Sequence, residues 1–275
     1  MNEALSPAPA IDCAMAATLM EPLTNLVVRA GAAILAVNRA AMRIDGKLDG
    51  SPVTEADLAA DRIIAEGLAQ LVPCIPALSE ERVDLAKPPY AGSFFLIDPL
   101  DGTKEFVAGR SEFTVNLALV TNGTPLLGIV GAPALGLVWR GLVGRGAERL
   151  TLGEKPVAEP IRTRPLPKRG DPWIVAISRS HLDSRTETFI AKRPGAVREM
   201  LGSAVKFGRV AEGGADIYPR LAPTSEWDVA AGHAVVIAAG GKVTDAQGED
   251  LQFGGGREGF IVPEFIAWGD PSAAP

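Results

Sequence analysis

The feature that most narrows the fold is a change of rhythm part-way along the chain. Beyond Trp173, short apolar runs alternate with amphipathic ones: WIVAIS, SRTETFIAKR, VREMLGS, SAVKFGRVAEG, DIYPRL, EWDVAAGHAVVIAAG and GKVTD. By period this is strand, helix, strand, helix, strand, helix, strand, an alternation that packs helices on a sheet. The first half reads differently. Leu19, Leu23, Val27, Ile34 and Leu35 recur at helical spacing between about Ala14 and Met42, as one long helix or two joined ones. A polar loop, IDGKLDGSPV, precedes TEADLAADRIIAEGLAQL, where Thr54 and Asp57 have the spacing of a helix cap and Leu58, Ile63 and Leu68 share a face. Strand-like runs follow in SFFLIDPL, on both sides of the hairpin signal Asn122-Gly123, and in LGLVWRGLVG. Between the two regimes, Leu152 to Asp171 is rich in Pro, Lys and Arg and lacks periodicity. The boundary is placed there, giving an N-terminal α+β unit over 14–152 and a C-terminal α/β unit over 171–268.

Composition limits the function classes. A chain of 275 residues with 47% apolar residues can bury a sizeable core. Its net charge of −6 argues against nucleic acid or an anionic membrane as partner, since both require a basic surface. A small anionic substrate stays open, because one local site can capture it. Cys13 and Cys74 have no CxxC spacing, and His181 and His233 are too few for a zinc cluster. Such cysteine usage fits a reducing cytoplasm. No 18-residue apolar run and no basic-then-apolar leader is present, so neither an integral membrane segment nor a signal peptide is read. The expectation is a cytoplasmic protein, free or peripherally membrane-associated, with its oligomeric state left open.

Carboxylates at the ends of predicted elements are the candidate functional groups. In DPLDGTKEF, residues 98–106, Asp98 ends a buried run, Pro99 fixes the next φ, and Asp101 follows at i+3. In such a turn both carboxylates face one point with the Leu100 carbonyl between them. Gly102 permits close backbone approach, and Thr103 is placed to cap a following helix, whose N–H groups could meet a phosphate. Turn chemistry alone explains the same residue types. Glu80-Glu81 reads as a solvated pair when taken alone. Asp228 suits the first turn of a helix through the macrodipole, yet that helix is apolar on nearly every side, where an unpaired charge is costly. Mg²⁺ is a hard ion that takes such oxygen ligands from several segments.

The order of the motifs adds what no single motif gives. SPVTEAD at 51–57, LSEE at 78–81, DPLDGTKEF at 98–106 and WDVAAGHAVV at 227–236 together resemble the inositol monophosphatase superfamily of magnesium-dependent, lithium-sensitive phosphatases. The chain is most similar to its CysQ-type branch, the 3′(2′),5′-bisphosphate nucleotidases, through DGSPVTEAD, EFTVNLAL, AISRSH, VKFGRVAEG and DIYPRLAPTSEWDVAAGHAVV. The likeness runs from about residue 20 to 260.

The resemblance implies a layered α-β-α-β-α sugar-phosphatase sandwich with the site between its halves. It implies two or three Mg²⁺ ions, inhibition by Li⁺, and Glu80, Asp98, the Leu100 carbonyl, Asp101 and Asp228 as metal ligands. Asp57 and Thr103 correspond to the pair that orients and deprotonates the attacking water, whereas Glu81 keeps its solvated reading. Gly102, Thr103, His181, Gly202, Ser203, Lys206, Arg220 and Asp228 correspond to substrate-binding positions. The implied reaction is removal of the 3′-phosphate from adenosine 3′,5′-bisphosphate (PAP) to give AMP, and of the corresponding group from PAPS to give APS. Departures are AVKF at 204–207, where the branch often has a second Ser, and Glu226 before Trp227. The rivals are an inositol monophosphatase or another sugar-phosphate phosphatase such as a fructose bisphosphatase, and, outside enzymes, a regulatory or binding module.

Overall fold

The structure, a computed structural model, describes residues 8–39, 42, 44–46, 52–85, 90–179, 183–255 and 258–275. Helix α1 (Cys13–Ala36) starts where Asp12 accepts the Met15 N–H at 2.8 Å, and it ends six residues short of Met42. It is long and apolar enough by length and composition to cross a membrane. Its apolar stripe, including Leu19, Leu23, Leu26, Val27 and Ile34, is instead packed into the core. Helix α2 (Glu55–Leu71) is capped as expected, the Asp57 carboxylate taking the Thr54 N–H at 2.8 Å. Its buried face is Ala56, Ala60, Ile64, Gly67 and Leu68, and Leu58, expected on that face, is 51% exposed. Small residues face inward because α2 lies close on α1: a Cβ at Gly67 would sit 2.2 Å from Leu26 Cδ2. Part of the expected polar loop forms a short antiparallel pair, β1 (Ile44–Gly46) with β2 (Pro52–Thr54).

A seven-stranded sheet runs in chain order: β3 (Ala77–Ser79), β4 (Ser93–Asp101), β5 (Thr114–Thr121), β6 (Thr124–Ala132), β7 (Leu137–Leu142), β8 (Gly146–Thr151) and β9 (Val157–Ile161). Only the β3–β4 pair is parallel. The Asn122-Gly123 hairpin forms as read, with φ of 50° and 78°. Strand β9 lies inside the stretch expected to be aperiodic. It is an exposed edge strand bearing Pro160, so it carries no buried-face pattern.

Strands β10 (Ile174–Ser178), β11 (Val197–Leu201) and β12 (Ile217–Arg220) form a second sheet with β14 (Lys242–Thr244) and β16 (Phe265–Trp268), in the order β11-β10-β12-β16-β14. A separate pair joins β13 (Thr224–Ser225) to β15 (Ile261–Val262). Helices α5 (Val205–Ala211) and α6 (Glu226–Ala238) lie between the sheets, and α4 (Ser184–Ala191) covers the outer face of the second. With α1 and α2 outside the first sheet, the layers are α-β-α-β-α, as the resemblance implies.

Helix α6 is apolar all round because both its sides are covered. One buried cluster joins Leu96, Val130 and Trp139 of the first sheet to Phe207, Val235 and Ala267. His233 of α6 packs edge-on to Phe253, 5.6 Å between ring centroids, and burial pushes its imidazole down to about 4, which keeps it neutral. The close approach of α6 to the first sheet depends on Gly128 of β6, where a Cβ would lie 2.1 Å from the Ala231 carbonyl oxygen. That neighbour is helix backbone and cannot rotate away. Gly128→Ala is therefore expected to cost about 1–3 kcal/mol in chemical denaturation. Gly153→Ala, with open space around it, should change stability by less than about 0.5 kcal/mol.

Candidate active site

The site begins with an irregularity in β4. Asp98 pairs with Asn116 and Asp101 with Thr114, so three steps along β4 oppose two along β5. This is a one-residue bulge, made where Pro99 has no N–H to give the ladder. The expectation that the strand ends at Asp98 is corrected: it continues to Asp101 and bulges. The Leu100 N–H turns back onto Asp98 Oδ1 at 3.0 Å, fixing that buried carboxylate. Gly102, at φ 87°, is the N-cap of the short helix α3 (Thr103–Val107). Thr103 therefore does not cap, contrary to expectation. Its hydroxyl lies 3.1 Å from both Asp57 Oδ1 and the Leu100 carbonyl. The other Asp57 oxygen accepts the Thr54 N–H at 2.8 Å and the Thr54 hydroxyl at 2.6 Å. Asp57 thus caps α2 and reaches the site at once.

Two other segments bring acids to the same place. Glu80 opens a 3₁₀ turn (Glu80–Leu85) directly after β3, the parallel neighbour of β4. Asp228 lies in the first turn of α6 and accepts from the Thr224 hydroxyl and from the Ser225 N–H at 3.3 Å. One carboxylate oxygen each from Glu80, Asp98 and Asp228 lie within 4.8 Å of one another. Burial, with the charges of Asp101 and Glu80 added to it, pushes the Asp228 carboxyl up to about 7. Oxygen donors from three segments, held against their own repulsion, fit a hard divalent cation.

These acids line a cleft of about 370 Å³ that also takes in Leu100, Asp101, Gly102 and Thr103, within the range of small-molecule sites. Glu81 is not part of its lining. From the second half of the chain, Gly202, Ser203, Lys206 and Arg220 line the same cleft. His181 lies outside the described residues. Lys206 is 2% exposed, unlike the usual solvated lysine; its ammonium donates to the Ser203 carbonyl at 2.5 Å and lies 5.1 Å from the Tyr218 ring centroid. Burial brings it down to about 8. Arg220 Nη2 donates to the Pro223 carbonyl at 3.4 Å, and its buried Nε finds no partner among the described residues.

Several participants escaped the sequence reading. Thr224 holds Asp228, and the signal available was only a hydroxyl four residues before an acid. Tyr218 floors the cleft beneath Lys206. Glu112 pairs with Arg179 and accepts the Gly202 N–H at 2.9 Å, which gives the EFTVN and SRSH motifs a shared contact. Glu226, a departure from the branch pattern, is buried and takes the Gly254 N–H at 2.7 Å.

A family model described as the inositol monophosphatase family matches residues 16–269. The chain belongs to that family. It is 42% identical over 255 residues to the 3′(2′),5′-bisphosphate nucleotidase CysQ of Salmonella typhimurium, covering 90% of this chain and 98% of that protein. Identity to the Escherichia coli K12 protein of the same name is 40%, with the same coverage. The crystal structure of CysQ from Bacteroides thetaiotaomicron, a bacterial member of the family, superimposes with a TM-score of 0.74 at 34% identity, covering 92% of this chain and 97% of that one. The family is metal-dependent, and the acidic cluster is one that could hold an ion.

The raised Asp228 carboxyl links pH, metal and stability. Its folded value of about 7 exceeds the ordinary 3.8, so the metal-free fold binds the proton more tightly than the unfolded chain does. That contribution is complete below about 4 and is lost as pH rises through about 7. A divalent cation favours the ionised carboxylate and offsets the repulsion that adds to burial in raising it. In thermal melts, Mg²⁺ is expected to raise the midpoint more at pH 8 than at pH 6, and Asp228→Asn should remove most of that difference.

Proposed function

We propose that this protein is a magnesium-dependent 3′(2′),5′-bisphosphate nucleotidase that converts adenosine 3′,5′-bisphosphate to AMP and phosphate and acts on PAPS in the same way. The observation that carries the reading is one cleft holding both the Glu80–Asp98–Asp228 cluster and two cations, the buried Lys206 and the half-buried Arg220. A phosphate monoester needs the first, and a substrate with a second phosphate that stays on the product gives the second a purpose. The CysQ relatives at about 40% identity support the same substrate.

In this reading Glu80, Asp98, the Leu100 carbonyl, Asp101 and Asp228 hold the cations, two or three in number and sensitive to Li⁺ competition. Bound divalent ions supply Lewis acidity and neutralise charge on the transferring phosphoryl group. The chain supplies the proton path. The Thr103 hydroxyl carries one hydrogen, given to Asp57 Oδ1 when the Leu100 carbonyl is otherwise engaged. Its lone pairs then accept a hydrogen from the attacking water. As water attacks phosphorus and the P–O3′ bond breaks, that proton passes to Thr103 Oγ1 and the Thr103 proton to Asp57, while the departing ribose oxygen takes a proton from solvent to become the 3′-hydroxyl of AMP. Asp57 is suited to this because its other oxygen is already fixed by Thr54. Gly102, Gly202 and Ser203 give backbone surface close to the phosphate, and Lys206 and Arg220 meet the retained phosphate. The protein works in the cytoplasm on a soluble nucleotide.

Phosphate release from adenosine 3′,5′-bisphosphate and from inositol 1-phosphate, compared side by side, tests the substrate. The nucleotide should be strongly preferred, and equal or better turnover of the inositol ester would overturn the choice. Asp98→Asn should lower turnover by about 10²–10³-fold or more, the worth of one preorganised electrostatic group, without loss of folding. Arg220→Met should raise KM for the bisphosphate about 10-fold, the value of a charge-assisted hydrogen bond, and leave a substrate lacking the second phosphate unaffected.

A further inference from the structure

Asp101 is gripped from one side only. Its Oδ2 accepts the Ser203 hydroxyl at 2.6 Å and lies 3.4 Å from Thr114 Oγ1 and 3.5 Å from Asn116 Nδ2. Among the described residues no donor reaches its Oδ1. Thr114 Oγ1 is 2.5 Å from Ser203 Oγ. Each hydroxyl has one hydrogen, so with Ser203 donating to Asp101, Thr114 donates to Ser203. The Ser203 hydroxyl has no hydrogen left for a substrate oxygen.

The backbone is held in an uncommon state to make this contact. Ser203 has φ 53°, the left-handed region that non-glycine residues seldom occupy. Three contacts over-determine it. Glu112 takes the Gly202 N–H at 2.9 Å and is itself paired with Arg179. The Lys206 ammonium donates to the Ser203 carbonyl at 2.5 Å. A Cβ at Gly202 would lie 2.5 Å from the Glu112 carbonyl oxygen, so the segment seats fully only with glycine there.

We infer that Ser203 is a positioning residue, whose hydroxyl fixes Asp101 Oδ2 across the cleft and leaves Oδ1 to face a cation. The inference rests on the metal-dependent reading above. It moves the Ser203 side chain from substrate contact to metal-ligand alignment, and it gives the Glu112–Arg179 pair the task of keeping Ser203 in place.

Ser203→Gly and Ser203→Ala separate alignment from stability. Both remove the hydroxyl, but glycine adopts φ 53° without strain and alanine does not. Mn²⁺ titration of the substrate-free protein, with free Mn²⁺ followed by electron paramagnetic resonance, should show Kd raised about 10-fold in both variants, as for loss of a residue that orients a ligand. In urea, Ser203→Gly should be as stable as the parent or more so, and Ser203→Ala less. At saturating Mn²⁺, KM for adenosine 3′,5′-bisphosphate should be unchanged in both. Parent-like Mn²⁺ affinity in Ser203→Gly would overturn the inference, as would a raised KM with unaltered Mn²⁺ affinity, the mark of a substrate contact. A parent protein that itself binds no Mn²⁺ would instead overturn the metal-dependent reading, and the inference with it.

Discussion

Three carboxylate oxygens within 4.8 Å of one another set the problem that the rest of the molecule solves. At the effective dielectric of a protein surface, each ionised pair at that separation repels by roughly 3 kcal/mol. Such a cluster persists only on supports that cannot drift apart. Asp98 is on a strand flanked on both sides, Glu80 follows the parallel neighbour of that strand, and Asp228 starts a helix whose dipole favours an anion. Core burial holds these supports, and a cation then gains what the repulsion has stored.

Helix α6 makes the support continuous. It lies against the first sheet through Gly128, carries Asp228 at its first turn, and shares one apolar cluster with strands of both sheets. Polar contacts close the sides. Glu212 takes Trp139 Nε1 at 2.9 Å and Arg209 Nη1 at 2.5 Å, tying α5 to β7, while the Glu112–Arg179 pair ties the segment before β5 to β10. Carboxylates contributed by both halves of the chain are therefore carried on elements that share one buried core.

The sequence disclosed the parts whose cause is local. The Asn122-Gly123 hairpin, the Thr54–Asp57 cap and the strand–helix alternation depend on residues a few positions apart and form as read, whereas the cap expected of Thr103 falls to Gly102. Asp57 was legible twice, as a cap by its spacing and as a site residue by resemblance. The β4 bulge was read as a turn, because Pro99 signals a broken ladder without saying whether the strand resumes. By period Leu58 shares a face with Ile63 and Leu68, whereas close helix packing buries Ala56, Ala60 and Gly67 and leaves Leu58 exposed. Strand β9 was missed because an exposed edge needs no alternation. Asp101 with Ser203, and Glu112 with Gly202, pair residues about a hundred positions apart, and no local pattern encodes them.

Under the proposed function, metal binding and substrate choice share one short segment. From Arg220 to Asp228 the chain delivers a cation, the Thr224 hydroxyl and a cluster carboxylate within nine residues. Thr224 fixes Asp228, and Arg220 donates back to the Pro223 carbonyl in the same loop. The position of the guanidinium is thus tied to that of the carboxylate by a few covalent links and two hydrogen bonds. In that reading, a substrate phosphate that drew Arg220 inward would pull on the loop that carries Asp228. Specificity and catalysis are for this reason not separable modules: a loop change that refits the pocket for another phosphate ester also alters the geometry in which the metal is held.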